Sequence, residues 1–281
     1  MKKQIEDKIN DMLGNGYSAQ TNTVLNQTSD VLKGVFIYAF IAMIIYFVGS
    51  TILSFLVDLV VPFPEINEEE LQDIIESGDK DEITRFYTDL FSDNSIYISM
   101  FLNNIASVIF YPILYSIFVM SYKFDHFKKV TFEDIFVFYK NGKFVNLVLV
   151  TLVIQVLSYI GLMLCVLPGV VLYISFILAI PLVIFADANV KEALSYSLKL
   201  AFKDFGNFLL FGLILVGIFF LFILFGILMC CVGLFITLPI FYIVLFVMVY
   251  LLYKNTVGFP GDNTETEEIT KDIYSDNPYM K

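Results

Sequence analysis

The residues able to do chemistry within this chain are few, and most are neutral. Asn103, Asn104 and Ser107 fall in one apolar stretch and Gln155 in the next. At mid-membrane such side chains either join helix to helix by hydrogen bonds or line a polar path for a substrate. A proton or ion pathway usually shows charged groups, because each costs at least about 2.5–3.5 kcal/mol in the hydrocarbon. Only Asp58 comes close, and it stands at the end of its stretch, where an interfacial position is expected. Pro112, Pro181 and Pro239 interrupt three of the stretches. A proline frees a backbone carbonyl and bends its helix, so a cavity at these bends would suit a small transporter or a lipid-handling protein.

Covalent and acid–base chemistry finds little support. His126 is the sole histidine, which excludes the two-histidine HExxH zinc site and multi-histidine iron centres. Ser195 and Ser197 near Lys199 could suggest a serine–lysine nucleophile, but the same spacing describes the polar side of an amphipathic helix. Cys165, Cys230 and Cys231 have no metal-ligand spacing. Adjacent cysteines rarely bridge each other because the geometry is strained, and a bridge from Cys165 to either member of the pair stays open. The expectation is a non-enzymatic protein with no cofactor and no metal.

The elements that carry these residues are six apolar stretches, at 33–61, 97–121, 144–167, 169–186, 208–229 and 234–253. Crossing a hydrocarbon core of roughly 30 Å takes about 20 helical residues. The chain has 281 residues, 58% of them hydrophobic and only 16% charged, against about 25% charged in soluble domains. The fold class predicted is all-α and integral to the membrane. The first 32 residues are polar, and the stretch that follows is too long for a signal peptide and lacks a small-residue cleavage site.

Charge sets the expected orientation. All of the seventeen basic residues except Lys80 and Arg85 lie in the N-terminal region, in the loops after the second and fourth stretches, or in the tail. The positive-inside rule counts Lys and Arg in short loops and ignores acids. It therefore places both termini in the cytoplasm. The acidic segment 62–96 and the turns around Pro168 and Cys231 go to the outer side. The net charge of −11 disfavours nucleic acid as a partner.

Two cytoplasmic loops carry amphipathic patterns. In 131–141, Thr131 and Asp134 form a capping-box signal, and Phe132, Ile135, Phe136 and Tyr139 share a face. In 189–205, Asn189 caps a run in which Val190, Ala193, Leu194, Leu198, Ala201, Phe202 and Phe205 follow helical spacing. Lys191, Lys199 and Lys203 take the other side of that helix, as Lys128 and Lys129 flank the earlier one. Such helices can lie in the headgroup layer with lysines toward anionic lipid headgroups. Each precedes a pair of stretches joined by a short turn. The first pair could repeat this unit with the acidic segment inserted and a leading helix near Thr23–Lys33. The expected architecture is three hairpins, each preceded by an interfacial helix. Within the insert, 67–77 and 79–92 read as two helices separated by Gly78. The tail 254–281 reads as acidic and disordered.

The run Leu167-Pro-Gly169, then Ala193-Leu-Ser-Tyr-Ser197, Phe205-Gly-Asn-Phe208, Pro239 and Tyr250 resembles a pattern in a large group of bacterial membrane proteins. That group includes the membrane domain fused to some glycerophosphodiester phosphodiesterases. The resemblance covers about a third of the chain and implies architecture and a bacterial inner membrane, with no catalytic residues. The phosphodiesterase domain itself is absent. The expected function is a scaffold that organises lipids or a membrane-protein partner, and the alternative is the transporter or lipid handler with a cavity at the kinks.

Overall fold

The computed structural model describes residues 2–60, 68–92, 94–164, 166–229 and 233–259. Cys165, Cys230, Cys231 and the tail beyond Phe259 lie outside them. The described residues are helical throughout, with no strand, and they divide into two units. The larger comprises the segments up to Tyr46 and from Tyr111 onward; the smaller is Phe47–Phe110.

The larger unit begins with α1 (Lys2–Asn15). Its buried residues Ile5, Ile9 and Met12 recur at helical spacing, so one face is apolar although the segment is polar on average. Here the structure departs from expectation. The amphipathic helix before the first span is α1, and Thr23–Lys33 is simply the start of α2 (Thr21–Asp58). Nothing in that segment breaks the helix: Val24, Val31, Val35 and Ala39 keep one buried stripe across the expected boundary at residue 33.

Next in this unit come α6 (Tyr111–Phe127), α7 (Val137–Lys140), α8 (Phe144–Leu164), α9 (Val166–Ser175), α10 (Ala179–Phe185), α11 (Val190–Lys203), α12 (Phe205–Leu228) and α13 (Leu234–Thr256). The span expected at 169–186 is therefore two helices. Pro181 has no N–H to offer the Ile177 carbonyl, and the chain tightens through three-residue-spaced bonds from Ile177 to Ile174 and from Ala179 to Phe176. The segment expected as an interfacial helix at 131–141 is a 3-10 turn, Phe132–Phe136, followed by the single turn α7. α9 holds Pro168 in its first turn, where a missing N–H costs no helical bond.

The C-terminal end of α6 anchors the larger unit through three consecutive residues. The Lys123 ammonium meets the buried Asp134 carboxylate at 2.6 Å. The Phe124 ring lies against Gly34 of α2. Asp125 accepts from Lys254 at 2.5 Å and from the Tyr250 hydroxyl at 2.9 Å, both on α13.

The smaller unit holds the end of α2, then α3 (Glu68–Ser77), α4 (Lys80–Ser92) and α5 (Asn94–Ser107). Gly78 separates α3 from α4 with φ +64, a conformation that costs a glycine nothing. A 3-10 turn at Val108–Phe110 interrupts the second span, and Pro112 lies two residues beyond. Pro112 cannot donate to the Val108 carbonyl, so the α-helical ladder is lost there. Pro239, by contrast, sits inside a continuous α13.

Candidate functional site

Two groups of residues could act on something outside the chain: the lysines of the loops and a cavity among the spans.

The lysines fall into two sets. Lys128, Lys129, Lys191, Lys199 and Lys203 are exposed. Lys128 lies with its ammonium 4.7 Å from the centre of the Phe124 ring. Three more, each near a helix end, are paired with carboxylates within the fold. Besides Lys123 and Lys254, Lys143 bonds Asp187 at 2.7 Å and the Ile184 carbonyl at the end of α10 at 2.7 Å. Burial pushes the Lys143 ammonium below its ordinary value, and Asp187 pulls the other way.

Local chemistry explains where α11 sits. Asp187, at φ 57, ends α10 in a left-handed turn that Asp tolerates. Asn189 then caps α11: its side chain accepts from the Glu192 N–H at 3.0 Å, and Glu192 accepts from the Asn189 N–H at 3.0 Å. Ala193, Leu200 and Ala201 are buried, and α11 packs on α8, α9, α10 and α1. Its apolar face thus meets protein. Ser197, expected on the polar side, is fully buried and donates to the Ser175 carbonyl at 2.7 Å, satisfying a group freed where α9 stops. That bond assigns its only proton to the fold rather than to Lys199.

At the other end of α11, the link between α1 and α2 is tied down. Tyr17 donates to the Leu200 carbonyl at 2.5 Å, and Asp204 accepts from the Ala19 N–H at 2.7 Å. Asn207 holds the same carboxylate at 2.9 Å and 3.0 Å. Burial, helped by the Asp204 charge, raises the Tyr17 phenol well above its ordinary value. Burial alone pushes Tyr139 up to about 12.

The polar residues expected within the spans fall in different units. Asn103, Asn104 and Ser107 belong to the smaller unit and Gln155 to the larger. Asn103 donates to Asp58 at 3.0 Å and to Ser99 at 3.3 Å, while Ser99 donates to Asp58 at 3.2 Å. This ties α5 to the end of α2. Asn104 donates to the Met100 carbonyl at 2.7 Å and Ser107 to the Asn104 carbonyl at 2.8 Å. Both bonds stay within the helix.

Gln155 lines a cavity of about 280 Å³ in the larger unit. Five tyrosines share its wall: Tyr46, Tyr111, Tyr115, Tyr173 and Tyr242. Thr151 lies there as well, and the break between α9 and α10 contributes Phe176 and Ile177. No charged side chain is among the lining residues. The Tyr115 and Thr151 hydroxyls stand 2.8 Å apart, and Thr151 donates its one proton to the Leu147 carbonyl at 2.7 Å. Tyr115 must therefore be the donor in that pair. The tyrosine wall was missed in the sequence because its members are spread over four helices. The available signal was a tyrosine near each proline kink: Tyr111 beside Pro112, Tyr173 before Pro181 and Tyr242 after Pro239.

Five helices are long and apolar enough to cross a membrane, and the shorter apolar run Gly169–Phe185 accompanies them. The class is thus a multi-pass helical membrane protein. No family model matches the chain, and no curated protein or solved structure matches it.

Proposed function

We propose that this chain is a non-enzymatic component of a bacterial inner membrane that organises anionic lipids, or a membrane-protein partner, around its cytoplasmic face. In this reading six spans form three hairpins, preceded in turn by α1, by the 3-10 turn with α7 and by α11, with both termini cytoplasmic. The repeat gains support from α1 and α7, each of which stops at an Asn-Gly pair with the glycine left-handed, Gly16 at φ 84 and Gly142 at φ 75. The observation that carries the proposal is the division of the lysines. Lys123, Lys143 and Lys254 are consumed by Asp134, Asp187 and Asp125, whereas the five loop lysines are exposed. A juxtamembrane lysine facing anionic lipid contributes about 1 kcal/mol.

The test is lipid retention by the full chain in nanodiscs of mixed phosphatidylglycerol and phosphatidylcholine, read by native mass spectrometry. Wild type should retain phosphatidylglycerol preferentially. Changing Lys128, Lys129, Lys191, Lys199 and Lys203 to Gln should abolish the preference. Equal retention of both lipids by the wild type would defeat the proposal.

A second reading, a small transporter or lipid handler, draws on the cavity. Its wall includes Tyr111, Ile180 and Tyr242, each close in sequence to one of the three prolines.

A further inference from the structure

The tyrosine-lined cavity has a chemistry of its own, independent of the lysine face. Among the described residues, the hydroxyls of Tyr111, Tyr173 and Tyr242 and the Gln155 amide make no hydrogen bond to the protein. Tyr115 has given its proton to Thr151, so its oxygen remains as an acceptor. Tyr173 lies seven residues into α9 and Tyr242 eight into α13, about 10–12 Å along each axis. In a helix that crosses a bilayer, a polar group without a partner at such a depth is costly. The same two tyrosines are 55% and 42% exposed, so they stand at the mouth. Phe235 and Ile236, about two turns earlier on α13, are exposed and apolar, the character expected of a helix surface that faces lipid.

We propose that this cavity binds the head of an uncharged, hydroxyl-bearing lipid of the diacylglycerol type, whose chains leave between Tyr173 and Tyr242 into the bilayer. Three features of the site select that class. With no charged residue on the wall, a phosphate would enter without a counter-charge. The phenols and the amide offer both donors and acceptors, which a hydroxyl satisfies in both roles. The volume lies just under the lower limit of about 300 Å³ for small-ligand sites, enough for a head and the first methylenes but not for acyl chains.

The experiment uses the full chain in phosphatidylcholine nanodiscs carrying equal small amounts of dioleoylglycerol and dioleoylphosphatidic acid, which differ only by the phosphate. Native mass spectrometry should show a one-to-one adduct with dioleoylglycerol, retained at least tenfold over phosphatidic acid. Tyr173→Phe with Tyr242→Phe should lower that retention about tenfold. Ile177→Phe, which fills the cavity without removing a hydrogen-bonding group, should do the same. Changing the five exposed lysines to Gln should leave the adduct intact, which separates this site from the anionic-lipid face. Retention of both lipids alike overturns the inference. So does dioleoylglycerol binding that survives both the tyrosine pair and Ile177→Phe.

Discussion

Phe124 occupies the space that a β-carbon on Gly34 would need. The ring lies against the α2 backbone at that position. Any larger residue at position 34 must push the ring out. Gly34→Leu should destabilise the larger unit by about 1–3 kcal/mol or more, the range for overpacking a tight contact. Thermal unfolding in detergent measures it, and Phe124→Ala in the same chain should recover part of the loss. If Gly34→Leu unfolds like wild type, the ring is not as close to Gly34 as described.

Lys254 and Asp125 give a second, electrostatic test. The pair is partly exposed, 27% for the lysine and 16% for the aspartate. The 3–5 kcal/mol seen on breaking a fully buried pair is therefore an upper limit. Lys254→Met should cost about 1–3 kcal/mol after allowing for solvent. Adding Asp125→Asn should return some of that, because Asn no longer needs a cation and can still accept from Tyr250. A double mutant that is worse than the sum of its singles would contradict the pairing.

Asn189→Ala removes one half of a reciprocal cap. A loss of about 1 kcal/mol is expected, measured against Glu192→Ala. The two effects should be less than additive, since each side chain serves the same helix start.

Tyr17 predicts an alkaline dependence. Its folded-state phenol is raised above the ordinary value of 10.0 by burial and then by Asp204. Above pH 10 the unfolded chain gives up this proton and the folded chain keeps it, so the folded state binds more protons. Stability from this group is complete below pH 10 and declines as pH rises toward the folded value. Tyr17→Phe should lose the hydrogen bond to the Leu200 carbonyl, about 1 kcal/mol at neutral pH. The gap between variant and wild type should narrow above pH 10. An unchanged gap across that range would refute the assignment.

Orientation is testable by labelling with a membrane-impermeant maleimide on a background free of the three native cysteines. Lys80→Cys should react from outside and Lys128→Cys only after permeabilisation. The reverse pattern would invert the proposed topology.

Helix starts and stops were legible where they depend on local chemistry. Asn189 with Glu192 declares the start of α11, and Gly78 the break between α3 and α4, because a few adjacent residues satisfy or free the backbone. The long spans were legible from apolar length. Elements that depend on partners were not. α1 reads as polar until Ile5, Ile9 and Met12 are taken together, and only packing against α11 gives their stripe a purpose. Pro112 and Pro181 coincide with interrupted helices, yet Pro239 lies in an unbroken one. The residue type was the same and the outcome depended on the surrounding helices. The site was least visible. Asn103 attracted notice as an amide in an apolar run, but its partners Asp58 and Ser99 make it an internal tie. Tyr173 and Tyr242 pass as ordinary interfacial aromatics in sequence, and only the fold brings them to one wall.

The separation between Asp125 and Lys254, 129 residues, also bears on how the chain is made. Asp125 is made early in synthesis, and its cation arrives only with α13. Until then this carboxylate at the end of α6 has no Lys254 to meet. Completion of the chain is thus registered at this charged contact between its early and late parts. Nascent chains halted before residue 254 should be degraded faster than those halted after it, and Asp125→Asn should reduce that difference.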